Sequence, residues 1–271
     1  MLRAIGNGSY DRDVVDLGGF GDEYICLPED IVLDGATTHA LSDLIEFVYP
    51  ALPSVPINAL PGYLAQRAIL APKNDIVGAV NNIVLSQLPV AAAANHCVYS
   101  SADSVEALDD EVQAAAANDN VDAVQDEATL KYPVEFLNTV NLAGFPPHRL
   151  ELKVNATVML LRNLCPRRGL CNGTRLMLKR LQFPVCLAFA MTIDKSQGQT
   201  VPRIGIFLPE PVFAHGQLYV AMSRVQARAD IKILALNSKS ANGRTYTKNI
   251  VYDEVLDDTD RQLIVNDAAP Q

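Results

Sequence analysis

The chain has 271 residues, enough for one large domain or two modest ones, and its 49% hydrophobic content is ordinary for a packed core. No apolar run reaches the roughly 18 residues of a membrane span, and the opening MLRAIGNGSYDRD lacks the apolar centre of a signal peptide, so a soluble intracellular protein is expected. The net charge of −9 argues at first sight against nucleic acid, but it averages unlike stretches: residues 1–144 carry 5 Lys/Arg against 21 Asp/Glu, whereas residues 145–232 carry 13 against 4. A polyanion would meet the middle of the chain; a solvated basic face accounts for the same excess.

Residues 1–60 read as an acidic N-terminal linker segment. Within it Thr38 to Val48 has helical spacing, with Leu41, Leu44, Ile45 and Val48 on one face. Four prolines between Pro50 and Pro61 then mark a loop. Arg67–Ala71 has the length of a strand, Asn74 is a plausible N-cap, and Ile76, Val80, Ile83, Val84 and Leu88 predict a helix over 75–87. With His96–Ser100 as a second strand, this is the start of a βαβ unit. Residues 102–131 are acidic, alanine-rich and unpatterned, and read as a surface excursion. Pro133 to Val140 reads as a short helix.

From Leu150 to Gln182 the chain turns basic and β-prone, two runs joined by a turn ending in Asn172-Gly173 that read as a hairpin. Phe183–Ala190 and Ile204–Leu208 are further strands, and Leu218, Ala221, Met222 and Val225 mark the buried stripe of a helix. Ile231–Leu236 is expected to be the last strand, followed by an acidic tail over 237–271, expected to be disordered.

Two stretches carry chemistry. The loop Thr192-Ile-Asp-Lys-Ser-Gln-Gly-Gln-Thr200 follows a buried strand, and its Gly198 lets backbone N–H groups approach phosphate oxygens; a solvent-facing strand–helix turn fits the same residues. Arg224 projects from a helix, as an arginine that reaches a phosphoryl group in a neighbouring domain would, or as an ordinary surface arginine paired with a carboxylate. Lys73 and Asn74 stand at the end of a strand, where α/β sheets hold ligands. The sequence holds no G-x-x-x-x-G-K-[ST], so it offers no phosphate cradle of its own. Five scattered cysteines without C-x-x-C spacing read as reduced thiols, and no metal site is expected.

AFAMTIDKSQGQT (188–200) and GQLYVAMSRV (216–225) resemble motifs five and six of superfamily-one DNA helicases of the petite-integration-frequency (PIF) type, including the helicase ends of Helitron transposon proteins. RAILAPKN (67–74) looks like that family's motif four, and residues 144–176 are similar to its small inserted barrel. The resemblance implies an α/β fold: a RecA-like parallel sheet flanked by helices, with a small inserted β-barrel-like module that looks truncated. The second RecA-like motor domain would occupy 61–133 and 183–236, and the accessory β module 134–182.

By resemblance, Arg224 would be the arginine finger, Gln197, Gly198 and Gln217 would face the nucleotide, and Asn74, Thr192, Lys195 and Ser196 would face single-stranded DNA. Arg167 and Arg168 are added as DNA contacts from the basic stretch. The implied activity is ATP-dependent 5′→3′ DNA unwinding, in DNA repair, recombination, telomere maintenance or transposon replication, in the nucleus or mitochondrion. ATP and Mg²⁺ are expected cofactors of the complete enzyme and neither is expected to bind this chain alone. The first motor domain is expected to be supplied from upstream in the same gene or by another chain, and this chain alone is expected to be inactive. A non-catalytic single-stranded DNA-binding module and a decayed helicase fragment are the alternatives. At Asp194 the family usually has His or Asn, and a carboxylate there would repel a DNA phosphate.

Overall fold

The apolar runs pair in parallel and are covered on both faces, as their composition requires. In the computed structural model, which describes residues 1–6, 24–89, 96–101, 133, 136, 138–139, 146–179, 184–236, 239–241 and 244–252, strands β2 (Arg67–Ala71), β8 (Ala190–Thr192), β9 (Arg203–Leu208) and β10 (Ile231–Ala235) form a four-stranded sheet in the order β10-β9-β2-β8. Every pairing is parallel, Ile69 lying opposite both Ala190 and Gly205. Successive strand residues point to opposite faces, and Ala68, Ile69, Leu70 and Ala71 are all buried, so both faces of β2 are covered. Helix α2 (Ala40–Val48) lies over β9 and β10, and α4 (Asn74–Gln87) lies over β8 and β2. The expected parallel sheet flanked by helices is present.

Gly205 shows how closely α2 approaches. A Cβ added there would lie 2.7 Å from Val48 Cγ2 and 3.0 Å from Leu44 Cδ1. Both neighbours are fully buried core residues with no room to retreat. Gly205→Ala is therefore expected to destabilise the fold by about 1–3 kcal/mol through overpacking, read as a lowered midpoint in urea at unchanged slope.

The described chain divides into two units, Met1–Pro89, Asn155–Thr157 and Leu187–Gln271 in one, Val90–Val154 and Val158–Cys186 in the other. Residues 24–60 are not a linker. Leu44, Ile45 and Val48 are buried on the inner face of α2, Leu33 N–H donates to the Ile233 carbonyl, and α3 (Leu60–Ala65) packs beside β2. Their apolar stripe is too wide to leave in water.

Nor is the end of the chain entirely a tail. β11 (Lys239–Ala241) and β12 (Arg244–Lys248) pair antiparallel, and β12 also pairs with β1 (Tyr24–Cys26). Tyr246 and Thr247 are buried there. Residues 253–271, and the acidic excursion at 102–131, lie outside the described residues, as does most of the helix expected over 133–140.

The expected βαβ unit is also redrawn. β3 (His96–Ser100) pairs antiparallel with β4 (Arg149–Lys153) in the second unit. Its Val98 and Tyr99 are 44% and 42% exposed, which a central strand of a covered parallel sheet would not allow. The parallel neighbour of β2 that follows α4 is β8. The crossover between them therefore contains the whole second unit.

The run ELKVNATVML is cut at Asn155, whose φ of 70° turns the chain between β4 and β5 (Thr157–Leu160). β5 then forms the expected hairpin with β6 (Arg175–Met177), Gly173 N–H donating to the Leu160 carbonyl and Leu160 N–H to that of Thr174. With β7 (Val185–Leu187) the order is β6-β5-β7. Among the described residues these strands close no barrel.

Candidate functional site

Because the sheet is parallel, the carboxyl ends of β2, β9 and β8 share one edge, and the residues just past them stand side by side. Past β2 come Lys73 and Asn74, past β9 comes Glu210, and at the end of β8 Thr192 opens the loop that holds Lys195. Asn74 is exposed as the first residue of α4; the capping position falls to Lys73, whose side chain makes no capping bond. The capping role expected of Asn74 is therefore not found.

Lys73 Nζ pairs with the Glu210 carboxylate, both side chains being about half exposed at 45% and 52%. That hydrogen bond holds the ammonium above the usual lysine range. Glu210 carries no signal in the sequence beyond its place in a Pro-Glu-Pro step.

Thr192 and Ser196 are buried, at 8% and 0% exposure. The Ser196 hydroxyl donates to the Ile193 carbonyl at 2.6 Å, closing the 3-10 turn Asp194–Ser196. The expected DNA contact from this hydroxyl is thus not available: the group is spent inside the turn. Lys195 is half-buried, and Asp194 is exposed.

Gln197 and Gly198 follow the turn and are exposed. Gly198 has φ 78°, a conformation glycine adopts without strain, and nothing lies within 4 Å of where its Cβ would be. A ligand could approach this backbone closely. From here the chain descends toward the start of β9, and Val201 N–H donates to the Arg224 carbonyl at 3.0 Å.

Helix α5 (Gln217–Met222) delivers Arg224 from its far end. The guanidinium donates from Nε to Val220 O at 2.9 Å, from one terminal nitrogen to Ser223 Oγ at 2.7 Å, and from the other to Gln199 O at 3.4 Å. All three acceptors are neutral. Among the described residues no carboxylate pairs with this arginine, so its charge is uncompensated beside Gly198. The guanidinium thus reaches the backbone just after Gln197 and Gly198, at Gln199.

Gln217 is not with them. It opens α5, is 2% exposed, and its Oε1 accepts from Phe213 N–H at 3.1 Å while its Nε2 is buried without a partner. The expected nucleotide-facing role gives way to latching the loop that precedes the helix.

In the second unit Arg167 and Arg168 form the 3-10 turn Pro166–Arg168 at the hairpin tip, exposed, with Gly169 at φ 74° closing the turn. Among the described residues no group of three or more His, Cys, Asp or Glu could hold a metal ion, and no helix is long and apolar enough to cross a membrane.

One residue with a decisive structural role escaped the periodicity. Asn81 sits in the buried face of α4, 4% exposed, where Ile83 was expected; Ile83 is 38% exposed instead. Its Nδ2 donates to the carbonyls of Leu187 and Ala190 at 3.2 and 3.1 Å, and its Oδ1 accepts from Ala190 N–H at 2.8 Å. Asn81 therefore fastens the start of β8, and with it the loop that β8 feeds, to α4.

Residues 135–181 match the family model "DNA helicase Pif1, 2B domain". The ATP-dependent DNA helicase PIF1 of Homo sapiens is 34% identical over 123 aligned residues, 31% of this chain and 19% of that protein. The PIF1 of Candida albicans is 42% identical over 74 residues, 27% of this chain and 8% of that protein. The crystal structure of Pif1 helicase from Candida albicans aligns with a TM-score of 0.48 and 19% identity, covering 86% of this chain and 56% of that one. The chain thus spans under a quarter of the curated relatives it matches and about half of the solved chains. What it resembles, by family model and by curated relatives alike, is a segment of Pif1-type DNA helicases.

Proposed function

Starting from that likeness to Pif1-type DNA helicases, we propose that the chain forms the second motor portion of an ATP-dependent 5′→3′ DNA helicase, acting on nuclear or mitochondrial DNA. The observation that carries this is the uncompensated guanidinium of Arg224, held on neutral oxygens next to the open backbone of Gly198. Those two residues, with Gln197, fit one flank of a nucleotide's terminal phosphate. The cradle for the remaining phosphates and the acidic ligands for Mg²⁺ find no counterpart among the described residues, and a first motor domain would supply them. When bound, ATP contributes the phosphoryl group whose transfer to water releases the energy for movement.

Arg224 would stabilise charge developing on that group. Asn74 and Lys195 would meet the phosphates of a single strand at the carboxyl edge, and Arg167 and Arg168 would add contacts from the hairpin tip. The human relative's 123 aligned residues draw on only 31% of this chain, so that protein holds extra residues inside the aligned stretch. Reading the β module as shortened would place some of those residues there. The roles in repair, recombination, telomere maintenance or transposon replication follow the same reading.

The exposed arginine tip also favours a second reading, a binding module that grips single strands without a motor. Both readings predict that the chain binds a fluorescein-labelled oligothymidylate, with log affinity falling by about 0.7 per phosphate contact against log salt. Reversing Arg167 and Arg168 to Glu is expected to weaken binding at least tenfold and flatten that slope by about 1.4. Anisotropy titrations that find salt-independent binding would defeat both.

A further inference from the structure

We propose that Glu210 limits the grip of the carboxyl edge on DNA by occupying the ammonium of Lys73, the place a phosphate of a single strand would take. The inference rests on reading that edge as the DNA track. The two residues follow adjacent parallel strands, β2 and β9, and are brought together from positions 137 apart in the chain. Both side chains are about half exposed, so a phosphate reaching along the edge meets the same ammonium. An exposed pair of this kind adds little to the fold, which leaves its effect on ligands as the larger one.

The charge inventory makes the effect matter. Among the described residues just past β2, β8 and β9, Lys73 and Lys195 are the ammonium groups, against the carboxylates of Asp75, Asp194 and Glu210. Asp75 lies close enough to Lys73 to reinforce the hold on its proton. A track with more carboxylates than ammoniums does not attract a polyanion by its field, so each accessible cation counts. A phosphate that takes Lys73 must first displace a carboxylate tethered on the neighbouring strand, then sit beside that carboxylate. Binding is weakened twice, by competition and by repulsion. The strand is held loosely, which suits a surface that must release DNA as it steps.

The test uses the whole chain and the labelled oligothymidylate. Glu210→Gln keeps the shape and removes the charge; it is expected to tighten binding about two- to fivefold, the range an exposed ion pair commands, and to steepen the salt dependence by about 0.7, one more phosphate contact. Lys73→Met is expected to weaken binding, and in the Lys73→Met background Glu210→Gln is expected to change nothing. Melting temperatures of all three variants are expected to match the parent, which separates the effect from misfolding. If the parent binds DNA and Glu210→Gln leaves affinity and slope unchanged, the brake is wrong while the track stands. If Glu210→Gln tightens binding equally without Lys73, the effect is diffuse charge and the proposed contact is overturned. If neither the parent nor any variant binds the strand, the track reading falls and takes this inference with it.

Discussion

In a helicase that uses this chain as its second motor half, Arg224→Ala is expected to slow ATP turnover by about a thousandfold or more, the usual loss when an arginine finger is removed. The size follows from what the guanidinium does when it is not on a phosphate: it rests on three neutral oxygens and, among the described residues, has no carboxylate partner. A charge kept free of acidic partners can transfer to a developing anion without breaking an ion pair. Arg224→Lys is expected to fail nearly as badly, because an ammonium on a flexible stem cannot reproduce a planar fork held at Val220 and Gln199.

Strand binding provides the control. The Arg224 carbonyl accepts from Val201, two residues before β9 begins, and its guanidinium reaches the Gln199 carbonyl, whose own side chain donates to the Lys195 carbonyl at 3.0 Å. If Arg224 acts on the phosphoryl group alone, Arg224→Ala leaves oligothymidylate affinity within about twofold, because the interaction it removes forms only around the transferring phosphate. Phosphate-release assays give the first quantity and anisotropy the second. A variant that loses both equally would mean that Arg224 merely holds the loop in place.

Asn81→Leu is expected to cost about 3 kcal/mol, since it strands a buried N–H and two buried carbonyls where each such group costs about 1–3 kcal/mol. The three bonds converge on Leu187 and Ala190, at the entrance to β8. That loss is a large part of the total stability of an ordinary domain. The same change is expected to loosen the loop at Asp194–Ser196, seen as faster amide exchange there than at β9.

Asn81→Asp gives a sharper result. The carboxylate would face two carbonyl oxygens in a dry place, so burial raises its folded-state pKa above that of the unfolded chain. The variant's stability is then greatest below the unfolded value and is lost as pH rises through the folded one. Urea midpoints that rise on acidification, in the variant alone, are the expected signature. A flat profile would mean that water reaches Asn81 and that its three bonds are dispensable.

Much of the architecture is local and was readable before any coordinates. Ala68–Ala71 and Ile204–Leu208 are continuous apolar runs, which only a strand covered on both faces can bury. Asn172-Gly173 marks its turn because the glycine supplies the positive φ. Arg224 and Gly198 stand out as residue types whose chemistry shows in a short window.

Partner choice did not show in such windows. β3 has strand composition, yet nothing in HCVYS says that β4, far along the chain, will take it in place of the parallel sheet. Arg244–Lys248, inside what reads as a tail, is a strand because β1, far along the chain, and β11 both offer it an edge. Ser196 and Gln217 look like ligand-facing polar residues until packing turns each inward.

The chain by itself thus determined which segments are apolar enough to be strands and helices and where its glycine-bearing turns fall. The tertiary structure alone decided which strands meet, that Asn81 is a strut, and that Glu210 neutralises Lys73. Periodicity is written in neighbouring residues, whereas pairing is settled by which distant segments repay the entropy of closing the loop between them.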